Sequence, residues 1–178
     1  MNDYKKNVTI RKFEETDIPN KVKWINDSNN NEYLHYDLPL TIEKTTKWYN
    51  KIKELPSRYD AIIEYQNVPV GVIGLINIDK CKGEYYITLG ENDYKRKGIS
   101  YIASKKLINY GFLELGLNKI WLCVDFDNIV ARKLYEKLGF KLEGILRKDI
   151  YFKGKMVDRC IYGIIKEEWS DINEYTNN

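Results

Sequence analysis

EYYITLGENDYKRKGISYIASKKL, residues 84–107, changes its period halfway. Glu84 to Leu89 reads as a strand. From Ile99 the apolar positions Ile102, Ala103, Leu107 and Tyr110 follow one face of a helix. Between them lies YKRKGIS, residues 94–100, in which three cations lead into Gly98. The first N–H groups of a helix have no internal partners and lie at the positive end of its dipole. Gly98 leaves no side chain where a ligand would approach, and Lys95, Arg96 and Lys97 add full charges around the mouth. Such a turn suits a pyrophosphate. It suits a solvated basic loop equally well, because neither G-x-x-x-x-G-K-[ST] nor G-x-G-x-x-G is present.

Working outward, VTIRKF (8–13) alternates as a first strand. Thr16 is placed to cap a helix carrying Val22, Trp24 and Ile25. Thr41 is placed to cap a second, with Ile42, Thr45, Trp48, Tyr49 and Ile52 at helical spacing. YDAIIEY, VGVIGLINI and EYYITLG, separated by turn residues, predict an antiparallel meander. Downstream, Gly116 punctuates the helix and KIWLCVDF is a continuous apolar strand. Asp127 or Asn128 opens another helix, and Gly139 suits its left-handed cap. FKLEGILRKDIYF, the turn KGK and MVDRCIYGIIK close as a hairpin. The expectation is an α/β (α+β) fold with a mixed, mostly antiparallel sheet of about seven strands flanked by four helices. It has one domain over 1–170 and a polar tail over 171–178.

Bulk properties narrow the function. In 178 residues, 43% hydrophobic content with 31% charged supports a real core. A net charge of +3 with interspersed signs provides no polycationic stripe, so nucleic acid is not an expected partner. Three cysteines without C-x-x-C spacing and a single histidine provide no zinc set, so no metal is expected. No apolar run of about 18 residues occurs, so no membrane partner is expected. Reduced thiols and the polar N-terminus predict a cytoplasmic protein.

NIVARKLYEKLGF, residues 128–140, adds a second constellation. Asn128, Ala131, Tyr135, Glu136, Gly139 and Phe140 stand in the register N-x-x-A-x-x-x-Y-E-x-x-G-F. With the Lys95–Ser100 loop and the order of elements, the chain resembles the GNAT superfamily of N-acetyltransferases across nearly its whole length. WINDSNNNEYLHY, GFKLEGILRKDIYFKGKMVD and YGIIKEEW are similar to the branch of ribosomal-protein, spermidine and amino-sugar acetyltransferases. In the loop, Lys95 replaces the family's Gln or Arg and Ser100 its Gly or Ala.

The resemblance implies acetyl-CoA as cosubstrate. Its diphosphate would sit on the amides of Arg96, Lys97, Gly98, Ile99 and Ser100, with Lys95 and Lys97 supplying charge and Asn128 as cap or coenzyme contact. It implies a thioester at the splayed ends of EYYITLG and WLCVDF, its carbonyl facing the amide of Leu89 or Gly90. Tyr135 would be the general acid at the coenzyme sulfur. For the base, Glu84 is the first candidate, with His35 and Asp125 beside it; Cys123 stands where some relatives carry a glutamate. The acceptor would lie among Tyr33–Leu38, the central strand ends and Leu146–Lys155, with His35, Tyr36 and Arg147 as contacts.

The expected reaction is direct acetyl transfer to a primary amine: an amino sugar or nucleotide amino sugar, a peptide N-terminus or another small amine. A non-catalytic acyl-CoA sensor of the same fold is the alternative. A second copy of the chain is a further expected partner.

Overall fold

A computed structural model describes residues 7–169. Its strands are β1 (Val8–Lys12), β2 (Tyr59–Tyr65), β3 (Val68–Ile76), β4 (Lys82–Leu89), β5 (Lys119–Asp125), β6 (Lys141–Phe152) and β7 (Lys155–Ile165). The helices are α1 (Ile18–Asn26), α2 (Ile42–Ile52), α3 (Ile99–Asn109) and α4 (Ile129–Lys137). The seven strands form one sheet in the order β1-β2-β3-β4-β5-β7-β6. Neighbours are antiparallel except β4 and β5, which run parallel. The expected mixed sheet and its four helices are therefore present. The expected tail over 171–178 lies outside the described residues.

Each boundary has a local cause. The Thr41 hydroxyl accepts the Lys44 N–H at 3.1 Å and starts α2, as its position predicts. Asn128 does the same for α4, accepting from Ala131 N–H at 3.2 Å. At α1 the expected cap, Thr16, is displaced. The Asp17 carboxylate accepts the Glu14 N–H at 2.9 Å and is clamped by Arg11 at 2.7 and 2.8 Å, so the chain enters α1 through a 3₁₀ turn at Glu15–Asp17. The β6–β7 turn uses left-handed residues at Lys153 (φ 47°) and Gly154 (φ 83°), the geometry of a two-residue hairpin loop.

The sheet buries both faces. Ile63, Ile73, Leu75 and Tyr85 meet Ala103, Leu107 and Phe112 on the α3 side. Ile62, Val72 and Tyr86 meet Trp24, Trp48 and Tyr49 on the α1–α2 side. Alternation along β4 thus sends Tyr85, Ile87 and Leu89 to one face and Glu84, Tyr86 and Thr88 to the other.

Candidate active site

The parallel junction is the weakest seam of the sheet. β4 and β5 pair only at Lys82–Lys119, Gly83–Ile120 and Glu84–Trp121, after which the strands part. β4 then ends in a bulge: the N–H groups of Gly90 and Glu91 both donate to the Val70 carbonyl, at 2.8 and 3.1 Å. This spends the Gly90 amide on β3. Ladder alternation turns the Leu89 amide the other way, toward β5 and past the last β4–β5 pair. Of the two expected donors, Leu89 is the one facing the gap. Gly90 serves packing instead, since a Cβ there would lie 2.0 Å from the Trp24 ring.

The loop after β4 has alternating backbone hands. Lys95 is extended, Arg96 is left-handed at φ 62° and Gly98 at φ 76°. Gly98 is the N-cap of α3 and has no side chain with which to satisfy the helix start. The first intrahelical bond is Ile102 N–H to Gly98 C=O at 3.1 Å, so the amides of Ile99 and Ser100 find no acceptor within the helix. A Cβ at Gly98 would meet nothing within 4 Å, so the approach is open. These main-chain groups form the kind of concavity that holds an anion and fit a diphosphate.

The cations of the loop divide. Lys95 turns back onto the segment after α1, donating to Asn30 Oδ1 at 2.6 Å and Asn29 C=O at 3.2 Å. Lys97 sits 5.2 Å from the Tyr94 ring centroid. Lys97 and Arg96 make no ion pair with a described residue, whereas the Lys95 ammonium holds the loop in place.

Tyr135 projects from α4 into the core beside the gap. It packs edge-on against Tyr85 (5.8 Å between centroids, 83° between planes) and against Phe140 at 6.0 Å. The Tyr85 hydroxyl is engaged with Ser104 at 2.6 Å. The Tyr135 hydroxyl has no hydrogen-bond partner among the described residues, and burial pushes its pKa well above the ordinary phenol value. It is therefore a protonated, uncommitted donor at neutral pH.

The opposite face of β4 carries the remaining candidates. The Glu84 carboxylate accepts from Asn77 Nδ2 at 2.6 Å. His35, from the α1–α2 connection, places Nε2 3.1 Å from Oδ2 of the buried Asp125 and packs against Phe152, with ring centroids 4.4 Å apart and planes tilted by 54°. Two residues weighed separately as bases thus form one pair, its ends 90 positions apart in the chain. On the hairpin, Asp149 pairs with Arg159, and Asp158 accepts the Lys148 N–H at 2.7 Å, so neither neutralises Arg147.

Tyr36 lines a cavity of about 410 Å³ together with Lys21, Trp48, Arg58, Tyr86 and Thr88. His35 and Arg147 do not line this cavity. Sequence reasoning missed Lys21 and Arg58. Lys21 carried a signal: it stands three residues after Ile18 and four before Ile25, which puts it on the apolar stripe of α1. Arg58 carried none, since its orientation depends on Asp60 in the finished sheet.

Among the described residues, no cluster of three or more His, Cys, Asp or Glu side chains could hold a metal ion. No helix of the described chain is long and apolar enough to cross a membrane.

Comparison with known proteins gives the family. The family model of the acetyltransferase (GNAT) domain matches residues 7–141. The N-acetyltransferase p20 of Bacillus licheniformis is 28% identical over 174 residues, covering 94% of this chain and 97% of that protein. Spermidine N(1)-acetyltransferase of Escherichia coli K12 is 30% identical over 129 residues, covering 64% and 69%. Among solved structures, spermidine N-acetyltransferase from Vibrio cholerae in complex with CoA and spermine superposes with a TM-score of 0.86 at 24% identity, over 93% of this chain and 99% of that one. At that identity the likeness is one of fold. The family match over most of the chain identifies this protein as a GNAT acetyltransferase, an acetyl-CoA-dependent N-acetyltransferase.

Proposed function

We propose that this enzyme passes the acetyl group directly from acetyl-CoA to a small primary amine while both are bound. The observation that carries this reading is the two-sidedness of β4: anion-holding amides and an uncommitted phenol on the α3–α4 side, an acceptor-sized cavity on the α1–α2 side, and a gap in the sheet between them.

In this reading the amides from Arg96 to Ser100 hold the diphosphate, and Asn128 contacts the coenzyme as well as capping α4. The Leu89 N–H polarises the thioester carbonyl and stabilises the oxyanion that forms as nitrogen attacks. The C–N bond forms as the C–S bond breaks. Tyr135 gives its proton to the departing thiolate and later recovers one from solvent. The amine loses its proton on the acceptor face, where His35, oriented by Asp125, and Glu84 are the available acceptors. Tyr36 borders the acceptor in the cavity, and Arg147 lies outside its lining. Three free cysteines support a reducing, cytoplasmic setting.

Free-thiol release from acetyl-CoA tests the reading across amino acids, amino sugars and their phosphates, short peptides and polyamines. The expected result is acetylated amine formed in step with thiol. Saturable acetyl-CoA binding with no transfer to any amine would replace the reading with that of a sensor.

A further inference from the structure

The cavity on the α1–α2 face is charged in one sense only. Lys21, Lys44 and Arg58 line it among apolar and aromatic walls, and no carboxylate does. The three cations are not equivalent. Arg58 is spent on Asp60, with Nε and Nη2 at 3.0 and 2.9 Å from its oxygens, and the Tyr86 hydroxyl adds a bond to Asp60 at 2.6 Å. Lys44 is exposed and lies 3.6 Å from Asp37.

Lys21 differs from both. Its residue is only 5% exposed, yet its ammonium has no hydrogen bond or ion pair with any described residue. It rests 3.4 Å from the Trp48 ring centroid and 5.6 Å from that of Phe13. Aromatic faces attract a cation but accept none of its three hydrogen bonds. A buried, unpaired cation is costly unless something in the cavity completes it.

Resting on the acetyl-transfer reading above, we propose that the acceptor is a primary amine bearing an anionic oxyacid group, carboxylate or phosphate, on a compact apolar or aromatic body. That group lies against Lys21. The cavity volume of about 410 Å³ suits such a molecule, near the small end of ligand pockets. Thr88, one residue before Leu89, lines the same cavity, so an acceptor anchored at Lys21 directs its amine along β4 toward the Leu89 gap. A polyamine, carrying several positive charges, meets like charge at Lys21, Lys44 and Arg58 with no carboxylate wall to offset it. The specificity of this enzyme thus departs from the spermidine named for some of its relatives.

Matched pairs test the inference. Phenylalanine against 2-phenylethylamine isolates the carboxylate, and glucosamine 6-phosphate against glucosamine isolates the phosphate. Spermidine stands as the polycation. The anionic member of at least one pair should have the lower KM, by about 10- to 100-fold, as expected for a charge-assisted bond. Which pair responds identifies the oxyacid. Lys21→Met should bring that ratio close to one.

A second readout needs no variant. Desolvation lowers the Lys21 pKa to about 8, against a weaker pull from Asp60 and with Arg58 acting in the same direction as burial. Lys44, Tyr36 and Tyr86 are the other titratable groups around the cavity. The wild-type anionic preference should therefore be full near pH 7 and decline through pH 8 to 9. Each KM is expressed in the free-amine concentration at that pH, because the two amines of a pair differ in pKa.

The same compounds titrated calorimetrically in the presence of CoA report affinity independently of turnover. A chain that binds the anionic amines but acetylates nothing would fail the acetyl-transfer reading and keep this one. Spermidine or the neutral partners binding as well as the anionic amines, or a preference unchanged in Lys21→Met, overturns it.

Discussion

In the proposed reading, the two faces of β4 recognise their partners by different physics. On the α3–α4 face the recognising atoms would be main chain: amides at the start of α3 and at Leu89, arranged by Gly98 and the Val70 bulge. On the α1–α2 face they would be side chains drawn from α1, α2, the connection between them, β3, β4 and the turn before β2. Main-chain groups can hold a ligand common to the family while tolerating changes of side chain, as with Lys95 and Ser100. Side chains gathered from six segments can be exchanged singly, so acceptor choice can drift without loss of the coenzyme site.

That contrast can be broken by experiment. Tyr135→Phe should lower kcat by about 10²- to 10³-fold and leave acetyl-CoA binding near wild type, since the lost hydroxyl bonds no described residue. A loss of coenzyme affinity instead would make Tyr135 a binding residue. On the other face, Glu84→Gln and His35→Gln separate the two proton acceptors. The variant that removes the operative base should cost about 10²-fold in kcat and change the shape of the pH–rate profile; the other should change neither much. Asp125→Asn should follow His35→Gln if the pair acts as a unit.

Smaller effects sharpen the same division. Gly98→Val puts a branched side chain at φ 76°, a region costing L residues about 1–2 kcal/mol. It should raise KM for acetyl-CoA by about 5- to 30-fold with little effect on the acceptor's KM. Lys21 contributes a pH signature to stability. Below about pH 8 it is protonated folded and unfolded alike, and its burial is a cost. Between about 8 and the ordinary value of 10.5 the unfolded chain holds the proton and the folded one releases it. This group therefore makes the fold more stable as pH rises through that window, by on the order of 3 kcal/mol. Urea denaturation of wild type and Lys21→Met at pH 7.5 and 10 should reveal the difference as a steeper rise in the wild type.

The sequence was most legible where local periodicity and tertiary burial agree. YDAIIEY is β2 from end to end, Ile99 opens α3 where the period changes, and Asn128 and Gly139 bracket α4. It was less legible where a local preference met a distant partner. Thr16 is a good cap by type, but Arg11 holds Asp17 in the position that governs entry to α1. Lys95 reads as a phosphate ligand from its neighbours in sequence, while its ammonium finds Asn30 across the fold. The His35–Asp125 pair and the setting of Lys21 under Trp48 arise only when the α1–α2 connection settles over the ends of the central strands. Nothing near those residues in the chain announces their partners.

The central claim is that the coenzyme is held by the backbone at Gly98, independently of the acceptor face. Calorimetric titration of acetyl-CoA into the wild type, Gly98→Val and Lys21→Met tests it most directly. The account predicts one saturable site in the wild type, weakened by Gly98→Val and kept within about twofold by Lys21→Met. No binding to folded wild type, or a loss in Lys21→Met as large as that in Gly98→Val, would contradict it.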